Sequence, residues 1–172
     1  DASSESDYKS FAGWRKDSGG DVSEPKDYLR FKCIQGFKDK LGHLSVKDKV
    51  EYWNRVKKEL EVLEAKDFSS YMLIVSDYIN WAKKIMPVGP ARGSSAGSLV
   101  AYLTGITNID PIKYDLIFER FHNNQKKSFP DIDTDFSRPD LVKEYIKLKY
   151  GEDRVASISN WSTLSPKVAI KD

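Results

Sequence analysis

The sequence predicts an α/β domain in which a small mixed sheet is covered by packed helices. Three observations carry that expectation: a strictly alternating acidic stretch at Ser128–Phe136, a glycine–serine loop that runs into an apolar-periodic helix, and long amphipathic helices upstream. Read as a strand, the first stretch places Asp131, Asp133 and Asp135 on one face and Ile132, Thr134 and Phe136 on the other. The apolar face can enter a core. Three neighbouring carboxylates cannot be buried unpaired without a large desolvation cost. A hard divalent cation such as Mg²⁺ resolves the repulsion through carboxylate oxygens. Carboxylates at i and i+2 can also bridge two ions roughly 3.5–4 Å apart, the arrangement used for displacement at phosphorus. A solvated acidic edge strand that discourages aggregation is the structural alternative.

A chain of 172 residues suffices for one domain with a sizeable core, or for parts of two. Its 40% apolar and 31% charged residues are ordinary for a globular protein. The net charge of +2 does not by itself argue for nucleic-acid binding, so any basic surface is local. The single cysteine, Cys33, excludes an internal disulfide and reads as a small buried apolar side chain. No apolar run has the length of a membrane span, and the opening Asp-Ala-Ser-Ser-Glu-Ser is not a signal peptide. A cytoplasmic location is the expectation.

Taken in order, residues 1–24 are rich in Ser, Asp, Gly and Lys and read as a linker or loosely attached arm. Pro25 opens a helix carrying Tyr28, Leu29, Cys33, Ile34 and Phe37 at helical spacing, and Gly42 ends it. Ser45 and Asp48 resemble a capping box for a long helix. Its predicted inner stripe is Val46, Val50, Trp53, Val56, Leu60 and Leu63, with Lys and Glu opposite. A further amphipathic helix from about Phe68 turns Tyr71, Ile74, Val75, Tyr78 and Ala82 inward. His43 and His122 have no partners at zinc-ligand spacing and read as non-catalytic.

Short apolar Met86-Pro87-Val88 then leads to Gly89-Pro90-Ala91-Arg92-Gly93-Ser94-Ser95-Ala96-Gly97-Ser98 and the apolar Leu99–Leu103. Small residues admit a ligand close to the backbone, and free N–H groups at a helix start attract anions. Ser94 and Ser95 can add hydroxyl donors, and Arg92 can add charge. A tight turn with Gly97 placed for close helix packing explains the loop equally well. The Gly-Lys-Ser/Thr ending of a Walker loop is absent. Gly105 stops the helix, Asn108–Pro111 form a turn, and Ile112–Phe121 reads as a helix carrying Glu119 and Arg120. Polar 123–127 delivers the chain to the aspartates. Pro139 starts another helix, with Leu141, Val142, Tyr145, Ile146 and Leu148 inward and Lys143, Lys147 and Lys149 in water. Val155–Ser159 alternates weakly as a strand. Ser165-Pro166 caps a helix that the chain leaves at Asp172, as a fragment of a longer protein would.

A phosphate-holding loop followed by Asp-x-Asp is minimal equipment for nucleotidyl transfer. At this point a family resemblance appears. Leu73-Ile74-Val75-Ser76-Asp77-Tyr78, Pro87 through Tyr102, Gly105-Ile106-Thr107, Phe118-Glu119-Arg120-Phe121 and Pro130 through Phe136 are similar to the bacterial replicative DNA polymerases of family C, which include the polymerase III alpha subunit. The likeness runs from about Lys26 to the C-terminus. It implies that residues 25–160 are part of a polymerase-beta-like nucleotidyltransferase palm and that 161–172 begin the thumb region. By the same resemblance, Arg92, Gly93, Ser94, Ser95, Arg120 and Lys126 face the phosphates of the incoming nucleotide. Asp131 and Asp133 are the catalytic, metal-binding aspartates for two Mg²⁺ ions, and Asp135 is not a ligand. The third catalytic aspartate lies beyond the thumb in the family, outside this chain.

Three departures mark a divergent member, bacterial or viral. Ala91 stands for a usual glycine, Lys126 for a usual arginine, and Ser162-Thr163-Leu164-Ser165 for a threonine-phenylalanine-glycine-threonine segment. The resemblance implies template-directed DNA synthesis. The partners are primer-template DNA, deoxynucleoside triphosphates and the remaining polymerase, and the isolated chain is inactive. The rivals are a template-independent nucleotidyltransferase and a non-catalytic, polymerase-derived scaffold or nucleic-acid-binding module.

Overall fold

The structure, a computed structural model, describes residues 23–90, 92–122 and 128–157. Three long helices form its frame: α1 (Pro25–Leu41), α2 (Val46–Ala65) and α3 (Ser69–Ile85). The short α4 (Leu99–Leu103) and α5 (Phe118–Phe121) follow, and then α6 (Pro139–Tyr150). Two 3-10 turns, Gly93–Gly97 and Glu152–Arg154, complete the elements among the described residues. The expectations for the arm, for Ala91 and Lys126, and for the segment from Ser162 onward lie outside the described residues, residues 23 and 24 excepted.

The helix starts follow local chemistry. Pro25 sits in the first turn of α1, where a missing N–H costs nothing, and the Asp27 carboxylate accepts from the Glu24 amide at 3.0 Å. Ser45 caps α2 as the sequence indicates, its hydroxyl accepting from the Asp48 amide at 3.2 Å. The stripe along α2 differs from the expected one. Val46 and Val50 are exposed, and the buried line is Tyr52, Val56, Glu59, Leu60 and Leu63. On α3, the buried line runs through Met72, Leu73, Val75, Ile79 and Ala82, while Tyr71, Ile74 and Tyr78 are half-buried.

The expected α/β sheet is not present. Among the described residues there is no strand, only isolated antiparallel bridges between Val88 and Phe136 and between Arg92 and Asp133. The Gly89 amide adds one bond to the Asp135 carbonyl at 2.9 Å. A ladder cannot extend here because Pro90 has no N–H to donate. The 88–92 side is also one residue longer than the 133–136 side, which slips the register as a bulge does. Residues 155–157 are likewise not in a strand. The predicted helix over Ile112–Phe121 shrinks to α5. The Asp110 carboxylate takes the Ile112 and Lys113 amides at 3.0 and 3.3 Å, Leu116 donates to the Pro111 carbonyl, and Asp115 adopts φ 53°, so the backbone turns instead. On α6, Leu148 is exposed, and Val142 and Tyr150 are the buried side chains.

The core lies around α4, whose Leu99, Val100 and Ala101 are completely buried against α1, α2 and α3. A five-residue helix is too short to persist on propensity alone. Its ends are satisfied from outside. At the start, the buried Glu59 carboxylate accepts from the Leu99 and Val100 amides, both at 3.0 Å, and from the Ser98 hydroxyl at 2.9 Å. At the other end Gly105 (φ 78°) closes a Schellman turn, with Ile106 N–H on the Ala101 carbonyl at 2.8 Å. Lys40 reaches the Tyr102 carbonyl, and Lys83 donates to the Gly105 carbonyl at 2.6 Å. A carboxylate at the positive end and ammonium groups at the negative end match the helix dipole.

Removing the carboxylate leaves Arg55 without its partner and two buried amides without an acceptor. Glu59→Ala is therefore expected to lower the unfolding free energy by about 3–5 kcal/mol, the cost of breaking a buried ion pair. Urea denaturation checks this, and a loss within the range of an exposed substitution would contradict it.

Candidate nucleotide-phosphate and metal site

The glycine–serine loop and the aspartate segment meet side by side, as the two bridges require. Asp131, Asp133 and Asp135 are exposed, and Ile132, Thr134 and Phe136 half-buried, so the alternation read from sequence survives without a sheet. Tyr71 anchors the start of the segment, its hydroxyl donating to the Pro130 carbonyl at 2.7 Å. Ile132 and Phe136 pack against the core.

Gly93 holds φ 66°, in the left-handed region, and a Cβ built on it would lie 2.8 Å from Asp133 Oδ2. Glycine thus lets the loop backbone come within contact of the carboxylate. Arg92 Nε pairs with Asp135 Oδ2 at 3.4 Å, an exposed contact of small energetic value. That pair holds the arginine beside the aspartates while leaving it free to exchange partners. Ser94 and Arg120 share the wall of a cavity of about 290 Å³ with Gly93 and Asp115. The structure therefore brings Arg92, Gly93, Asp133 and Asp135 to one edge, and Ser94 and Arg120 to a cavity beside it. Lys126 lies outside the described residues.

Two groups that the sequence offers to an anion, the Ser95 hydroxyl and the amides at the start of α4, are taken up by the protein itself. The Ser95 side chain turns inward, its hydroxyl donating to the Arg92 carbonyl at 2.9 Å. The start of α4 is filled by Glu59. Burial raises the Glu59 carboxyl above its ordinary value, while the Val100 and Leu99 amides and Arg55 draw it back. Arg55 Nε pairs with Glu59 at 2.7 Å, and its Nη2 donates to the Gly97 carbonyl at 2.9 Å and the Leu116 carbonyl at 3.1 Å. Sequence reading set Glu59 on the wet face of α2. The spacing of Tyr52, Val56, Glu59 and Leu63 places it on the inner face, and that was the available signal. The close-packing reading of Gly97 is realised as well, since a Cβ there would stand 2.7 Å from the Ile117 carbonyl oxygen.

A cleft of about 760 Å³ lies elsewhere, between α1, α3 and α6. Three of the lysines that line it are engaged in structure. Lys40 binds a carbonyl in the last turn of α4, Lys83 one just after it, and Lys149 pairs with Asp77 at 2.7 Å. His122 is buried with its ring edge-on to Phe68 at 5.1 Å. Among the described residues no three His, Cys, Asp or Glu side chains converge to hold a metal, and no helix is long and apolar enough to cross a membrane.

Comparison with known proteins places this arrangement in a family. Residues 27–172 match the family model described as Bacterial DNA polymerase III alpha NTPase domain. The chain is 47% identical over 150 residues to the DNA polymerase III subunit alpha of Aquifex aeolicus, covering 86% of this chain and 13% of that protein. The Thermus aquaticus subunit is 56% identical over 117 residues, 66% of this chain and 10% of the relative. The Helicobacter pylori subunit is 41% identical over 168 residues, 96% of this chain and 14% of the relative. The chain belongs to the bacterial DNA polymerase III alpha family, and it spans about an eighth of the length of the relatives it matches.

The Gly93–Asp133 approach makes a direct prediction. Gly93→Ala should force the loop and the aspartate segment apart, shifting the backbone amide resonances of residues 92–95 and 131–135 together. Shifts confined to residue 93 and its chain neighbours would contradict the close approach.

Proposed function

We propose that this segment carries the incoming-nucleotide phosphate site and two of the metal-holding carboxylates of a template-directed DNA polymerase. The observation that carries the reading is the close approach of the Asp133 carboxylate to Gly93, where an added Cβ would lie 2.8 Å from Oδ2. It sets a loop suited to phosphate oxygens directly beside a group suited to a hard cation. The substrates are deoxynucleoside triphosphates and primer-template DNA, consistent with relatives named DNA polymerase III subunit alpha.

Asp131 and Asp133 fit Mg²⁺, since both are exposed on one side of an extended segment and Mg²⁺ is commonly held by one or two carboxylates plus substrate phosphates. Two such ions, when bound, would activate the primer hydroxyl and neutralise charge on the pyrophosphate leaving group. The Gly93 and Ser94 backbone orients the triphosphate beside Asp133. Arg92 exchanges its exposed Asp135 partner for a phosphate oxygen, a charge-assisted contact. Arg120 lines the adjoining cavity together with Gly93 and Ser94. Lys126 adds charge in the polar stretch before the aspartates. Orientation and charge neutralisation account for most of the catalysis that residues can supply in phosphoryl-type transfer.

The remaining polymerase must contribute the primer grip and a third carboxylate. Primer extension by these 172 residues alone is expected at background. In the full-length polymerase, Asp131→Ala or Asp133→Ala should reduce extension by several orders of magnitude, while Asp135→Ala retains most of it. Extension by the isolated segment, or a full-length enzyme indifferent to both substitutions, would overturn the assignment.

A further inference from the structure

We infer that Arg55 and Glu59 are positioning residues for the nucleotide-phosphate loop, an inference that rests on the proposed function and deepens it. The pair lies on α2 and touches neither the aspartate segment nor the exposed edge of the loop. Its reach is nevertheless central. Glu59 holds the Ser98 hydroxyl and the Leu99 and Val100 amides, fixing the point where the loop becomes α4. Arg55 donates with one nitrogen to two carbonyls from different segments, Gly97 at the end of the loop and Leu116 before α5.

Both segments line the cavity that Ser94 and Arg120 also line. The guanidinium therefore brackets these two segments, tying one cavity-lining stretch to the other. The contact between Gly97 and the Ile117 carbonyl leaves no slack in the other direction. Glu59 has a second consequence. By filling the α4 amides with a protein carboxylate, it keeps an incoming triphosphate on Gly93–Ser95, next to Asp133, and off the start of the helix.

An arginine serves this purpose where lysine does not, because a planar fork can pair with a carboxylate and reach carbonyls at once, whereas an ammonium is a single point. Arg55→Lys keeps the positive charge beside Glu59 but loses the bracket. In the full-length polymerase it should raise KM for the incoming nucleotide about tenfold or more, as misplacement of a binding element does. The affinity for primer-template DNA and the melting temperature should stay close to those of the unsubstituted enzyme. Combining Arg55→Lys with Gly93→Ala should raise KM by less than the product of the single effects, because both act through the same loop.

Three results are decisive. If Gly93→Ala and Arg92→Ala raise KM but folded Arg55→Lys does not, the positioning role is wrong and the proposed function stands. If none of the three changes KM, the loop is not the nucleotide site and both readings fall. A parallel loss of DNA affinity and melting temperature with Arg55→Lys would show a merely structural role. Amide hydrogen exchange on the unsubstituted enzyme adds a test that needs no variant. A deoxynucleoside triphosphate with Mg²⁺ should slow exchange at Gly93–Ser95 and leave Leu99 and Val100 unchanged. Slowing at Leu99 and Val100 would show the phosphates displacing Glu59 and would overturn the inference.

Discussion

The buried carboxylate of Glu59 is the interaction on which the rest of the molecule depends. It has no exposed surface, yet it is surrounded by donors: two amides, a hydroxyl and a guanidinium. A charge in that position is tolerated because each oxygen is satisfied, and it would be costly if any partner were lost. In return it fixes a helix of five residues that would not form by itself. That helix is the centre of the core, and the loop leading into it forms one side of the candidate site. Core packing and site geometry therefore share one set of hydrogen bonds.

Much of this was written in the sequence in local form. Pro25 and Pro139 open helices, Ser45 caps one, and Gly105 closes another, because each depends only on neighbouring residues. The alternation of the aspartates was equally legible and survives as alternating exposure. What was not legible is whether the alternating segment has a partner with which to build a ladder. A period of two reports which side faces water, not how many hydrogen bonds a neighbour can supply. Pro90 in the partner segment limits that supply, so bridges stand in place of a sheet.

Glu59 escaped for a different reason. A glutamate in a helix is assigned to water by composition, and only its position between Val56 and Leu63 argues otherwise. The helix expected over Ile112–Phe121 failed because Asp110 offers its carboxylate to two following amides, a competition that apolar spacing does not register. Both misses concern polar side chains that bind backbone. Their function is to fix loops, and the loops in question border the cavity beside Arg120.

Asp131 and Asp133 lie open at an edge, and the chain accounts for about an eighth of the related polymerases. Under the proposed function, this edge is an open half-site that substrate and other parts of the polymerase would complete. The most direct test of the account is a structure of the full-length polymerase with primer-template DNA, a non-hydrolysable deoxynucleoside triphosphate and Mg²⁺. The account predicts phosphate oxygens against the Gly93–Ser95 backbone, metal between those oxygens and Asp131 and Asp133, and Glu59 still on the Leu99 and Val100 amides. A triphosphate bound away from this loop, or seated on the α4 amides in place of Glu59, would contradict it.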